Sequence, residues 1–130
     1  MSQILVIDDS EFDRRMITRA MKSTGEDLTF QELARGESAI ETMKNFKPDV
    51  VLLDIRMPGI GGFEVLSRIK KRDEFSECKV IMVSGSHAAE DRTRAKMRGA
   101  TAFYTKPHTQ SDYETMAREI HGLYLSAAAA

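Results

Sequence analysis

Five polar residues stand at or just past the carboxyl ends of short apolar runs. Asp8 and Asp9 follow Ile4-Leu5-Val6-Ile7, Asp54 follows Val50-Val51-Leu52-Leu53, Ser84 follows Val80-Ile81-Met82-Val83, and Lys106 comes just after the run Thr101 to Tyr104. Three carboxylates brought to one edge repel each other, and unaided one of them stays protonated. A bound cation relieves the repulsion, and so does a basic side chain such as Lys106. Oxygen ligands with room left for water favour Mg2+. A zinc site draws on His or Cys, and neither type ends a run here, so His87, His108 and His121 read as surface residues. A carboxylate can also attack phosphorus and form an acyl phosphate. That reaction demands in-line positioning and neutralisation of the charge on the equatorial oxygens. Asp8 and Asp9 would hold the metal directly or through water, Mg2+ and Lys106 would supply positive charge, and Ser84 a hydroxyl donor.

Each piece alone has an ordinary explanation. Asp8-Asp9 fits a turn and helix cap, and Asp54 could start the loop that turns at Met57-Pro58-Gly59. Ser84-Gly85-Ser86 is common loop composition, and Lys106 before Pro107 could be a solvated lysine. Their joint placement at the ends of four runs carries the chemical reading.

Positioning these residues requires strands that alternate with helices. Candidate strands are Gln3 to Asp8, Leu28 to Leu33, Asp49 to Leu53, Lys79 to Val83 and Thr101 to Tyr104. Between and after them, Ser10 to Ser23, Ser38 to Phe46, Phe63 to Lys71, Ala88 to Arg98 and Ser111 to Leu125 carry apolar residues at helical spacing, such as Phe12, Met16 and Ala20. Ser10 followed by Asp13 resembles a capped helix start, and Gly25, Gly36 and Gly99 fall where turns are needed. Three of the apolar runs are continuous rather than alternating, as strands covered on both faces require. The expected fold is α/β, a (βα)5 doubly wound five-stranded parallel sheet. Ligands of such sheets bind beyond the carboxyl ends of the strands, where the five polar residues lie.

The 130 residues, 42% hydrophobic and 30% charged, suit one globular domain, and no linker or repeat divides them. The domain is expected to span 1–126, with 127–130 an alanine tail, disordered or left by cloning. A net charge of -1 offers no reason to expect nucleic acid or an acidic membrane as the main partner. The single Cys78 makes no internal disulfide, the first apolar run stops at Asp8 without a basic leader, and no stretch is long enough to span a bilayer. The expected location is cytoplasmic.

Four motifs resemble the receiver domains of two-component response regulators: Ile4-Leu-Val-Ile-Asp-Asp-Ser10, Val50-Val-Leu-Leu-Asp-Ile-Arg-Met-Pro-Gly-Ile-Gly-Gly-Phe-Glu64, Val80-Ile-Met-Val-Ser84 and Thr105-Lys-Pro107. The similarity runs from about Ile4 to Leu125. It implies a flavodoxin-like sheet with strand order 2-1-3-4-5. It implies that Asp54 is the phosphoacceptor, that Asp8 and Asp9 are the acidic metal pair, and that the Arg56 backbone carbonyl completes the protein's share of a Mg2+ shell. By the same resemblance Ser84 and Lys106 contact the phosphate, and Ser84 with Phe103 forms the switch. A cis Lys106–Pro107 bond is also implied. Departures are Phe103 where Tyr is frequent, which removes a hydroxyl from any output contact, Gly61 where many relatives carry Asp, and His108 where Phe is common.

The resemblance implies phosphorelay signalling. A histidine kinase or histidine phosphotransfer protein would donate phosphate to Asp54, and the surface of the fourth helix, fifth strand and fifth helix would then change its affinity for a downstream protein. The chain would assist its own phosphorylation and dephosphorylation without being an enzyme, as a monomer or a phosphorylation-dependent dimer. An aspartate-nucleophile phosphatase is the rival, disfavoured because no acid stands at Ser10. A degenerate receiver that binds partners without phosphate is the second. Arg92, Arg94, Lys96 and Arg98 fall on two separated sides of a helix, with an expected Glu90–Arg94 pair, so they read as a solvated face rather than a nucleic-acid stripe.

Overall fold

The computed structural model describes residues 2–25 and 27–125. Five strands alternate with five helices: β1 (Ser2–Ile7), α1 (Glu11–Lys22), β2 (Leu28–Leu33), α2 (Ala39–Phe46), β3 (Val50–Leu53), α3 (Gly62–Lys70), β4 (Lys79–Ser84), α4 (Ala89–Met97), β5 (Ala102–Thr105) and α5 (Gln110–Ile120), the last continuing as a π-helical turn over His121–Leu125. The sheet is parallel throughout, in the order β2-β1-β3-β4-β5. The doubly wound parallel sheet is the one expected from the alternation, and its flavodoxin-like order is the one implied by the resemblance. The expected alanine tail lies outside the described residues.

The continuous apolar runs have a direct physical cause. Successive strand side chains point to opposite faces, and both faces here are covered. Leu5, Ile7, Val51, Leu53, Val80 and Met82 pack with Met43, Leu66, Ile69 and Ala95 from α2, α3 and α4. Ile4, Val6, Val50, Leu52, Ile81 and Val83 face Ile17, Met21, Met116 and Ile120 from α1 and α5. Two cores share one sheet, which leaves the strand ends as the place where polar side chains can stand.

Helix α1 starts as its sequence suggests: the Ser10 hydroxyl accepts the Asp13 backbone N–H at 3.2 Å. Ser10→Ala removes that partner and is expected to lower stability by about 1 kcal/mol, read from urea denaturation. Phe12, grouped with Met16 and Ala20 by its spacing, is 68% exposed and outside the core. It sits in the first turn, whose neighbour Asp13 reaches the sheet's carboxyl edge, so the turn faces past the layer that Ile17, Ala20 and Met21 fill.

The basic residues of α4 do divide between two sides. Arg92 lies over the Phe103 ring of β5, whereas Arg94 and Arg98 lie over Phe63 of α3. The expected Glu90–Arg94 pair is replaced by the Arg94–Phe63 contact, at 5.0 Å from the ring centre. An exposed ion pair along a helix is worth only tenths of a kcal/mol, and a cation over an aromatic face competes with it readily. Among the described residues no helix is long and apolar enough to cross a membrane.

Candidate functional site

Sheet hydrogen bonds continue one residue past β1, β3 and β5 and fix the backbones of the polar residues there. The Asp8 N–H donates to the Leu33 carbonyl (3.0 Å), the Asp54 N–H to the Ile7 carbonyl (2.9 Å) and the Lys106 N–H to the Ser84 carbonyl (2.8 Å). The side chains therefore hang from the rigid sheet rather than from free loops, which favours a fixed constellation.

Asp8, Asp54 and Ser84 are buried and Asp9 is exposed. Carboxylate oxygens of Asp8, Asp9 and Asp54 all lie within 4.8 Å of one another. One oxygen of each buried acid is tied to backbone: Asp8 Oδ1 accepts the Ser10 N–H at 2.9 Å, and Asp54 Oδ1 accepts the Ile55 N–H at 2.8 Å. Their other oxygens face Lys106, whose Nζ lies 2.8 Å from Asp8 Oδ2 and 3.3 Å from Asp54 Oδ2. Asp8 Oδ2 forms an ion pair with Lys106, but among the described residues no donor is aligned on this buried oxygen for a hydrogen bond. A donor set made only of oxygens, one of them lacking an aligned donor, suits a hard divalent cation such as Mg2+.

The charges respond to this crowding. Burial pushes the Asp8 carboxyl above its ordinary value; Lys106 and the Ser10 N–H pull it back only in part, and the Asp54 charge pushes the same way as burial. Burial lowers the Lys106 ammonium, but Asp13, Asp8 and Asp54 outweigh that and hold its pKa above the ordinary lysine value. Lys106 is therefore a cation at neutral pH. Its raised value contributes stability that is complete below the unfolded lysine pKa and is lost only as pH rises through the folded one.

Two residues at the site were not singled out for it in the sequence. Asp13, read there only as part of a helix cap, places Oδ2 2.7 Å from Lys106 Nζ. Arg14 donates from Nη1 to the Asp8 carbonyl at 2.6 Å and from Nε to Glu32 at 3.1 Å, pinning the end of β1. The one available signal is position: both lie in the first turn of the helix that leaves the β1 edge.

A cleft of about 320 Å³ opens beside this cluster, lined by Asp54, Arg56, Ser84, Gly85, Ser86 and Lys106. The Arg56 side chain turns outward to Asp91 of α4 at 3.3 Å, and the Ser86 hydroxyl donates to the same carboxylate. The Ser84 hydroxyl accepts the Ser86 N–H at 3.4 Å. Phe103 packs on the α2–α4 side of the sheet beneath Arg92, and Tyr104 packs on the opposite side, with its hydroxyl donating to Glu119 at 2.8 Å. His87 and His108 are exposed and their rings stack 6.4 Å apart; His121 is half-buried. The Lys106–Pro107 bond is trans, contrary to the cis form expected from the resemblance. Trans is the intrinsically favoured isomer before proline, by about 0.5–1 kcal/mol.

The family model of the response regulator receiver domain matches residues 4–118. Protein PilH of Pseudomonas aeruginosa is 32% identical over 123 residues, which cover 95% of this chain and 98% of that protein. The sensor histidine kinase CheAY of Helicobacter pylori is 34% identical over 108 residues, 82% of this chain but 13% of that much longer protein. Among solved structures, a chain of the CheX–CheY–BeF3–Mg2+ complex from Borrelia burgdorferi matches with a TM-score of 0.78 at 29% identity, covering 93% of this chain and 88% of that one. A parallel sheet in this order, with acids and a lysine meeting at its carboxyl edge and a family match along most of its length, makes this chain a member of the response regulator receiver family, a receiver domain of two-component signalling.

Proposed function

We propose that this receiver is a phosphorylation switch in which Asp54 accepts a phosphoryl group from a phosphohistidine donor. An Asp54 carboxylate oxygen attacks phosphorus, an acyl phosphate forms, the P–N bond to the donor imidazole breaks, and that imidazole recovers a proton. Asp8, Asp9, Asp54 and the Arg56 carbonyl would hold Mg2+, directly or through water. When bound, Mg2+ supplies positive charge to the phosphoryl oxygens. Lys106 would contribute a second positive charge, and the Ser84 hydroxyl a hydrogen bond. The observation that carries this reading is a Lys106 ammonium 3.3 Å from the Asp54 carboxylate and 2.8 Å from Asp8, at the edge of a rigid sheet.

Output follows from the same geometry. Ser84 moves toward the phosphoryl oxygens and gives up the Ser86 N–H, and Phe103 turns into the space released. The α4–β5–α5 surface then changes its affinity for a protein target. Partners are a histidine kinase or histidine phosphotransfer protein upstream and a protein target downstream. Support comes from the matched kinase CheAY and from the CheX partner of the Borrelia CheY. The proposed setting is the cytoplasm, where the buried Cys78, its thiol pushed up to about 11 by burial, stays reduced and inert. The chain acts as a switch that aids its own phosphorylation and dephosphorylation.

Incubation with acetyl phosphate and Mg2+ is expected to add one phosphate, detected by intact mass, and EDTA is expected to prevent it. Continuous release of inorganic phosphate from an added monoester, with no stable adduct, would instead point to a phosphatase.

A further inference from the structure

Lys106 has three N–H donors and three carboxylates around it: Asp13 at 2.7 Å, Asp8 at 2.8 Å and Asp54 at 3.3 Å. Two of these, Asp8 and Asp54, belong to the oxygen cluster that suits a divalent cation. Asp13 does not; it stands on α1, with its backbone N–H fixed by the Ser10 hydroxyl. A cation entering the cluster takes oxygens away from Lys106 and repels its ammonium at short range. Asp13 is the one carboxylate of the three that the cation leaves to the lysine.

We propose that Asp13 is a positioning residue that keeps Lys106 at the pocket when Mg2+ displaces it from Asp8 and Asp54. This inference rests on the proposed Mg2+ site. Without Asp13, the lysine has no anionic seat beside the occupied cluster, and its long side chain swings to solvent, because Asp8 and Asp54 are then engaged by the cation. With Asp13, the ammonium stays within reach of a phosphoryl group on Asp54, so its charge need not be recruited from bulk during transfer.

The test measures Lys106 reactivity toward reductive methylation, followed by peptide mass spectrometry with and without Mg2+, alongside calorimetric titration of Mg2+. Asp13→Asn keeps the side-chain shape and leaves the cap intact, because Ser10 accepts the backbone N–H of residue 13. In the native protein Mg2+ is expected to change Lys106 methylation by less than about twofold. In Asp13→Asn it is expected to raise it about tenfold, within the range that coupled charges of one network show. Asp13→Glu, which keeps the carboxylate, restores most of the protection. Equal protection of Lys106 in Asp13→Asn with Mg2+ bound overturns the positioning role, as does a native Lys106 that Mg2+ itself exposes. Calorimetry separates the two failures: no Mg2+ binding by the native protein overturns the metal site, whereas normal Mg2+ binding by Asp13→Asn with its Lys106 reactivity unchanged overturns only the role of Asp13.

Discussion

Asp54→Asn is expected to abolish phosphorylation by acetyl phosphate and Mg2+, a loss of at least about 100-fold, because the attacking group is replaced by an amide of far lower nucleophilicity. The substitution also takes one anionic oxygen from the cluster that Asp8 and Asp9 complete. The fold is expected to survive it. An Asn side-chain carbonyl can still accept the Ile55 N–H that Asp54 Oδ1 accepts at 2.8 Å, and the residue-54 N–H keeps its bond to the Ile7 carbonyl. Mass spectrometry of the variant, paired with a thermal melt close to that of the native protein, isolates the chemistry from folding. A phosphate adduct that persists on Asp54→Asn would place the acceptor elsewhere and end the proposal.

Gly62→Ala is expected to be the most damaging single methyl addition near the site. A Cβ at residue 62 would stand 2.0 Å from the Asp54 carbonyl oxygen, 2.8 Å from the Asp54 carbonyl carbon and 2.8 Å from Ile55 Cα. All three are backbone atoms, so no side-chain rotation makes room. The Gly62 N–H also donates to the Ile55 carbonyl at 2.7 Å, which locks the start of α3 against the end of β3. Overpacking of this kind costs about 3 kcal/mol, and relief requires moving Asp54 itself, so labelling is expected to fall with stability. Gly85→Ala is the control: its Cβ meets nothing within 4 Å. Its stability change is expected to stay within about 0.5 kcal/mol. Urea denaturation and acetyl phosphate labelling of both variants check the contrast. A Gly62→Ala protein as stable and as readily labelled as the native one would show that α3 and β3 are not tightly seated.

The most readable parts of the sequence were those set by periodicity. Continuous apolar runs such as Val50 to Leu53 require cover on both faces, and the structure places α2, α3 and α4 on one side and α1 and α5 on the other. The polar residue after each run lands at the carboxyl edge because the ladder carries on through Asp8, Asp54 and Lys106. Strand order was a different matter. Nothing in the spacing of the runs says that β3 lies beside β1; the order came from motif resemblance, and the register Ile4 with Val50 and Val50 with Lys79 realises it.

Where local patterns and packing disagreed, packing won. Phe12 obeys the helical spacing of a core residue yet is exposed, because the first turn of α1 faces beyond the buried layer. Glu90 and Arg94 have the spacing of an ion pair, yet Arg94 prefers the ring of Phe63, a residue far away in the chain. The sequence by itself determined the alternation of strands and helices and the identity of the residues at the strand ends, since both depend on patterns within a few neighbouring positions. Only the tertiary structure decided that Asp13 meets Lys106, 93 positions apart in sequence. The direction of one side chain from a first helical turn depends on how α1 and β5 approach a common edge, and no local pattern encodes that approach.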